Sequence, residues 1–172
     1  MQEVIIIAGP NGAGKTSFAN QYLLASEKMH AFVNADEIAR DIAAARTGGA
    51  IDLIAAREML RRIDALVEAQ AAFMFETTLA SLTYIRKIRR WRQQGFHVSL
   101  IYLRLPSVEA SLARVRRRVE AGGHGIPDDV VRQRFSKSLR YLEELYKPAV
   151  DEWYVWDSLE GEFRLADSWD DQ

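Results

Sequence analysis

The sequence has no cysteine, so disulfide bridges and thiolate-bound metals are excluded, and a reducing cytosol is the compartment this fits. No surplus of charge of either sign is present. The net charge is −1, which gives no overall field toward nucleic acid or an acidic membrane. Long apolar runs are missing as well. The run at residues 4–8 is too short to span a bilayer, and Glu3 precedes it where a signal peptide would be basic. Internal repeats and low-complexity tracts are absent. A cytoplasmic protein without a membrane contact is expected. The 172 residues, 48% of them apolar, suffice for one domain over 1–172 that buries roughly 70% of its unfolded surface.

What is present centres on Gly9-Pro10-Asn11-Gly12-Ala13-Gly14-Lys15-Thr16, a match to the phosphate-loop pattern G-x-x-x-x-G-K-[ST]. An apolar strand over about residues 3–8 precedes it, and a helix over about 15–26, opening with Lys15, Thr16 and Ser17, follows. Glycines let the backbone come close to a ligand, and the loop and helix N–H groups converge on an anion. Lys15 supplies charge to the outer phosphates, and Thr16 a hydroxyl to Mg²⁺. The loop and Ser17 are therefore assigned to ATP.

Further strands are predicted at residues 31–34, 72–75, 98–103, 153–156 and 162–165, the last two forming a C-terminal segment over about 151–167. Between them lie periodic helices. Leu53, Ala56, Leu60, Ile63 and Val67 mark one over 51–70. A basic helix over 81–94 carries Ile85, Ile88 and Trp91 on one face. Val108, Leu112, Val115 and Val119 form a stripe over 107–121, and Val131, Phe135, Leu139, Leu142 and Tyr146 another over 128–147. Strands alternating with helices predict a three-layer α/β fold with a mostly parallel sheet of about five strands.

In such sheets ligands sit at the carboxyl ends of the strands. Asp36 stands at the second of these ends and Glu76 and Thr78 at the third. Asp36 fits two roles, helix cap or general base, and its place one strand-end from the loop favours the base. Glu76 fits a substrate hydroxyl or a water on Mg²⁺, and Thr78 a substrate contact. Around the glycine-rich break at 122–127, the helical wheel places Arg116 and Arg118, and Arg132 and Arg134, on the borders of two buried stripes without choosing between them. Such arginines suit a lid over about 114–134 that closes on phosphates. His124, in the break, is a candidate phosphate or substrate contact. The basic helix lacks interleaved aromatics and reads as a solvated face, which argues against nucleic acid.

Taken together, Gly9–Thr16, Asn34-Ala35-Asp36, Phe75-Glu76-Thr77-Thr78-Leu79 and Arg114-Val115-(x)₂-Arg118-Val119-(x)₂-Gly122-Gly123-His124-(x)₂-Pro127-(x)₆-Arg134 resemble the zeta-toxin family of P-loop kinases, and its small, poorly assigned branch in particular. The resemblance covers about residues 3–147. It implies a nucleotide-kinase-like strand order 2-3-1-4-5, ATP and Mg²⁺, and phosphorylation of a small-molecule hydroxyl, with UDP-N-acetylglucosamine as the leading acceptor. By motif, Asp36 matches the base, Glu76 and Thr78 the acceptor-sugar contacts, and Arg118 and Arg134 the phosphate clamps. Arg114 resembles a nucleotide-kinase lid arginine near the nucleotide. An antitoxin is the protein partner that the resemblance implies. The other readings are an ATP-binding switch read by a protein partner, and a kinase for another nucleoside, sugar or nucleic-acid end.

Overall fold

The computed structural model describes residues 2–25, 31–45 and 51–171. Six strands form one sheet: β1 (Gln2–Ala8), β2 (Ala31–Val33), β3 (Phe73–Thr77), β4 (Phe96–Arg104), β5 (Glu152–Ser158) and β6 (Phe163–Ser168). Their order is β2-β3-β1-β4-β5-β6. The first five are mutually parallel, in the expected order 2-3-1-4-5, and β6 extends the sheet by pairing antiparallel with β5. The helices are α1 (Lys15–Ala25), α2 (Ala35–Ala45), α3 (Ile51–Glu68), α4 (Thr83–Gln93), α5 (Val108–Glu120) and α6 (Asp128–Tyr141).

Strand β1 shows why the sheet is central. Successive side chains of a strand point to opposite faces. Val4, Ile6 and Ala8 enter one core together with Ile38, Met59, Ile63, Ile88 and Trp91 from α2, α3 and α4. Ile5 and Ile7 enter a second core with Phe18 and Ala19 of α1. An unbroken apolar run is what a strand covered on both faces requires. Trp91 is fully buried and meets Phe73 edge-on, with ring centroids 5.6 Å apart. Such a pair contributes about 1 kcal/mol beyond its area.

Several helix faces differ from the periodic expectation. On α3 the buried residues are Ala55, Met59, Ile63 and Val67, whereas Leu53 is 52% exposed and Ala56 is also exposed. The stripe is set by which residues meet α2 and β2, so the small Ala55 takes the close approach. On α4, Tyr84 joins Ile88 and Trp91 in the buried face. On α5, Ser111 is buried with Leu112 and Val115, the latter two packing with Val131 of α6, and Val119 is 44% exposed. The helix expected over 128–147 is α-helical to Tyr141 and then forms a π turn, Leu142–Tyr146, and a 3₁₀ turn, Lys147–Ala149. The π turn reorients Tyr146, whose hydroxyl donates to Ser81 O at 2.6 Å. Among the described residues, no helix is long and apolar enough to cross a membrane.

Candidate active site

The carboxyl ends of β1, β2 and β3 open into a cavity of about 1020 Å³. One side is the loop between β1 and α1. Gly12 and Gly14 there take φ of 81° and 80°, the left-handed region that glycine reaches without strain. A Cβ on Gly12 would lie 2.8 Å from Arg114 Cβ, so α5 packs directly on the loop. The loop is also fixed through its carbonyls. Ser111 Oγ donates to Asn11 O at 2.5 Å, Ser158 Oγ to Ala13 O at 2.8 Å, and Arg114 Nη1 to Gly12 O at 3.3 Å. With these oxygens turned away, the loop can offer N–H groups to a ligand. Phe18 N donates to Gly14 O, which makes Gly14 the residue just before α1 and leaves the N–H groups of Lys15, Thr16 and Ser17 without intrahelical acceptors.

Lys15 is folded back on its own loop. Its ammonium donates to Gly9 O at 2.9 Å and to Pro10 O at 3.0 Å. Burial lowers its pKa, against the opposing pull of Glu76 and Asp36. Thr16 Oγ1 donates to the Glu76 carboxylate, at 3.0 Å to one oxygen and 3.2 Å to the other. Burial pushes the Glu76 carboxyl above its ordinary value, and the charge of Lys15 and the Thr16 hydrogen bond restrain the rise.

Asp36 is not the helix cap. Asn34 Oδ1 accepts from Asp36 N at 2.7 Å and from Glu37 N at 3.4 Å, so Asn34 caps α2. The exposed Asp36 side chain lines the cavity and is left free for chemistry. At the end of β3, Thr77 and Thr78 differ in role. Thr77 O accepts from Gly9 N, and Thr77 Oγ1 accepts from Leu79 N at 3.1 Å, which holds buried Leu79 at φ 60°. Thr78 lines the cavity without a structural bond of this kind.

The arginines fall into two groups. Arg114, Arg118 and Arg134 line the cavity. Arg116, Arg117 and Arg132 lie outside, paired with Asp128, Glu160 and Glu109. Arg114 is tied down more firmly than a lid residue: Nη1 donates to Ser158 Oγ at 2.8 Å and Nη2 to Ser158 O at 2.9 Å. Arg118 Nη2 donates to His124 O at 3.0 Å, and its buried Nε has no partner. His124 lines the cavity from the glycine-rich segment. Sequence reasoning did not single out Asn34, Ser111 or Ser158, nor Asp52, Gln133 and Lys137, which also line the cavity. An asparagine two residues before an acid at a helix start is a capping signal, whereas the serines carry no local signal.

The residues fit a nucleoside triphosphate, since positive-φ glycines, unpaired helix N–H groups and a buried ammonium meet in one loop. The hydroxyl of Thr16 and the carboxylate of Glu76 are hard oxygen donors, the type that Mg²⁺ takes alongside phosphates. A second cavity, of about 280 Å³, lies between α5 and the β5–β6 turn, lined by Ala110, Ala113, Arg114, Arg117, Leu159 and Glu160 among others.

The fold and the loop define a P-loop kinase-like α/β protein. The family model described as AAA domain matches residues 4–145, and the chain belongs to that family. An uncharacterized protein of Haemophilus influenzae is 29% identical over 133 residues, covering 77% of this chain and 92% of that protein. Three solved structures share the fold. A chain of the AvrRxo1-ORF1:-ORF2 complex with ATP aligns over 98% of this chain, with TM-score 0.70 and 19% identity. One from the PezAT chromosomal toxin-antitoxin system of Streptococcus pneumoniae aligns over 100%, with TM-score 0.69 and 14% identity. A gluconokinase of Sinorhizobium meliloti aligns over 91%, with TM-score 0.57 and 16% identity. This chain covers 58%, 72% and 82% of those three chains, so it spans little more than half of the first.

Proposed function

We propose that the protein is an ATP- and Mg²⁺-dependent kinase that phosphorylates a hydroxyl of a small molecule. A nucleotide sugar such as UDP-N-acetylglucosamine is the first acceptor to test, on the resemblance of its motifs to the zeta-toxin family. The observation that carries this reading is the division of labour at the end of β2. Asn34 caps the helix, so the Asp36 carboxylate is free in the cavity that also holds Lys15, Arg118 and Arg134.

The loop N–H groups and Lys15 bind the β- and γ-phosphates, and the ammonium leaves Gly9 O and Pro10 O to do so. Thr16, with Glu76 beside it, would hold Mg²⁺, which neutralises phosphate charge when bound. The nucleobase takes the smaller cavity beside Arg114. The acceptor hydroxyl loses its proton to the Asp36 carboxylate as its oxygen bonds to the γ-phosphorus. The bond from that phosphorus to the β–γ bridging oxygen breaks, and ADP leaves. Arg118 and Arg134 stabilise the charge that develops on the transferred group, and His124 and Thr78 contact the substrates.

Incubation with ATP, Mg²⁺ and a pool of sugar nucleotides and nucleosides, read by mass, tests the reading. One acceptor should gain a phosphate with wild-type protein and none with Asp36→Asn. ATP hydrolysis without any phosphorylated acceptor would sink it. Co-purification of a tightly bound protein would extend the resemblance to an antitoxin partner.

A further inference from the structure

Asn34 is 98% shielded, at 2% relative exposure, and only half of its side chain is accounted for. The two N–H groups at the start of α2 identify the prong that faces them as the oxygen. The other prong, Nδ2, is buried and has no hydrogen-bond partner. A buried unpaired amide donor is costly, and few survive in a folded protein unless something else uses them. Asn34 lines the large cavity, and the unused donor lies just beneath that wall, so a substrate oxygen meets it once the wall shifts slightly on binding.

Its neighbours define what it can meet. Val33 pairs with Phe75, so Asn34 stands beside Glu76 at the strand spacing of about 5 Å. Glu76 already accepts from Thr16, and Asp36 lies two residues along the chain. The other donors near this corner are already engaged: the Thr16 hydroxyl with Glu76, and the Lys15 ammonium with Gly9 O and Pro10 O. A hydroxyl placed there can give its proton to Asp36, but its oxygen also needs a donor to fix which lone pair faces the γ-phosphorus. A lysine or arginine in that position would draw down the basicity of Asp36, whereas a neutral amide does not.

We propose that Asn34 Nδ2 donates a hydrogen bond to the oxygen of the acceptor hydroxyl whose proton Asp36 removes. Asn34 then serves two purposes through one planar group. Its oxygen orders the start of α2 and with it Asp36, and its nitrogen holds the nucleophile. This rests on the kinase reading above, and it adds a catalytic residue to that site.

The test has two arms. In a crystal structure with Mg²⁺ and a non-hydrolysable ATP analogue, a solvent oxygen is expected within about 2.7–3.2 Å of Nδ2 and also in hydrogen-bond reach of the Asp36 carboxylate, standing in for the hydroxyl. Nδ2 bonded to a protein oxygen, or facing apolar atoms alone, overturns the proposal. In the second arm, Asn34→Ser keeps a capping hydroxyl and removes the amide. It should leave the melting temperature and analogue affinity unchanged, and raise KM for the acceptor identified by mass about tenfold. Asn34→Ala should lower the melting temperature as well. Wild-type kinetics in Asn34→Ser overturn the proposal. Absence of transfer by the wild-type protein counts against the kinase reading, while the crystallographic arm still decides what Nδ2 binds.

Discussion

Gly12 and Gly161 share nearly the same backbone conformation, at φ of 81° and 83°, in very different surroundings. Around Gly161 no atom lies within 4 Å of the place a Cβ would occupy. At Gly12 the same Cβ would sit 2.8 Å from Arg114 Cβ and 3.2 Å from Ser111 O. Alanine in the left-handed region costs about 1 kcal/mol at either site. At Gly161 nothing further is added. At Gly12 carbon atoms would be almost 1 Å inside the usual contact distance, and neither is the free end of a flexible chain. The loop and α5 must separate, which weakens the Ser111 to Asn11 and Arg114 to Gly12 hydrogen bonds, each contributing about 1 kcal/mol. Gly12→Ala should therefore cost about 3 kcal/mol and Gly161→Ala about 1 kcal/mol. Urea unfolding of the nucleotide-free proteins measures both. Gly12→Ala should also weaken ATP binding, and Gly161→Ala should not. Equal losses of stability would show that the loop is not held by α5 as argued.

Three other predictions use the same site. Lys15→Ala and Asp36→Asn should both abolish transfer, but only Lys15→Ala should weaken ATP binding strongly. Calorimetric titration with an ATP analogue separates them, and near-normal transfer by Asp36→Asn would remove the base assignment. Filling the smaller cavity with Ala113→Phe, an exposed position, should lower ATP affinity at least about tenfold with little change in melting temperature. Unchanged affinity would place the nucleobase elsewhere. The third concerns pH. Burial raises the Glu76 pKa, so the folded chain holds that proton more tightly than the unfolded one. In chelator, this contribution to stability is fully present below the ordinary glutamate value and is lost as pH rises through the raised one. Glu76→Gln should flatten that part of the profile, and parallel profiles in urea unfolding would refute the assignment.

The sheet and the phosphate loop were legible because their signals are local. Val4 to Ala8 is apolar at every position, and the loop's glycines and lysine stand at fixed spacings. The face of a helix was less legible. Leu53 and Ala56 fit a three-four repeat as well as Ala55 and Met59 do, and only the approach of β2 and α2 decides between them. Asp36 and Asn34 illustrate a different limit. Both residue types cap helices, and the choice between them depends on a two-residue difference in where α2 begins. Arg114 and Ser158 are 44 residues apart in sequence. No pattern in the chain announces that a serine at the end of β5 holds both the arginine and the carbonyl of Ala13. The arginines of α5 and α6 were reduced to pairs by the helical wheel. Which member of each pair faces the cavity depends on how those helices pack, a tertiary matter.

The bonds that shape the phosphate loop also set an order in time. The loop comprises residues 9–16, yet its carbonyls are held by side chains 100, 102 and 145 residues further along. On the ribosome the loop is made early, and on the order of ten seconds pass before Ser158 is added. Throughout that interval the segment has its sequence but lacks the full set of side chains that turn its oxygens away. A nascent chain is thus surrounded by cellular ATP before it has a loop shaped to receive it. Nucleotide binding becomes a property of the finished molecule, acquired when the end of the fifth strand reaches the loop.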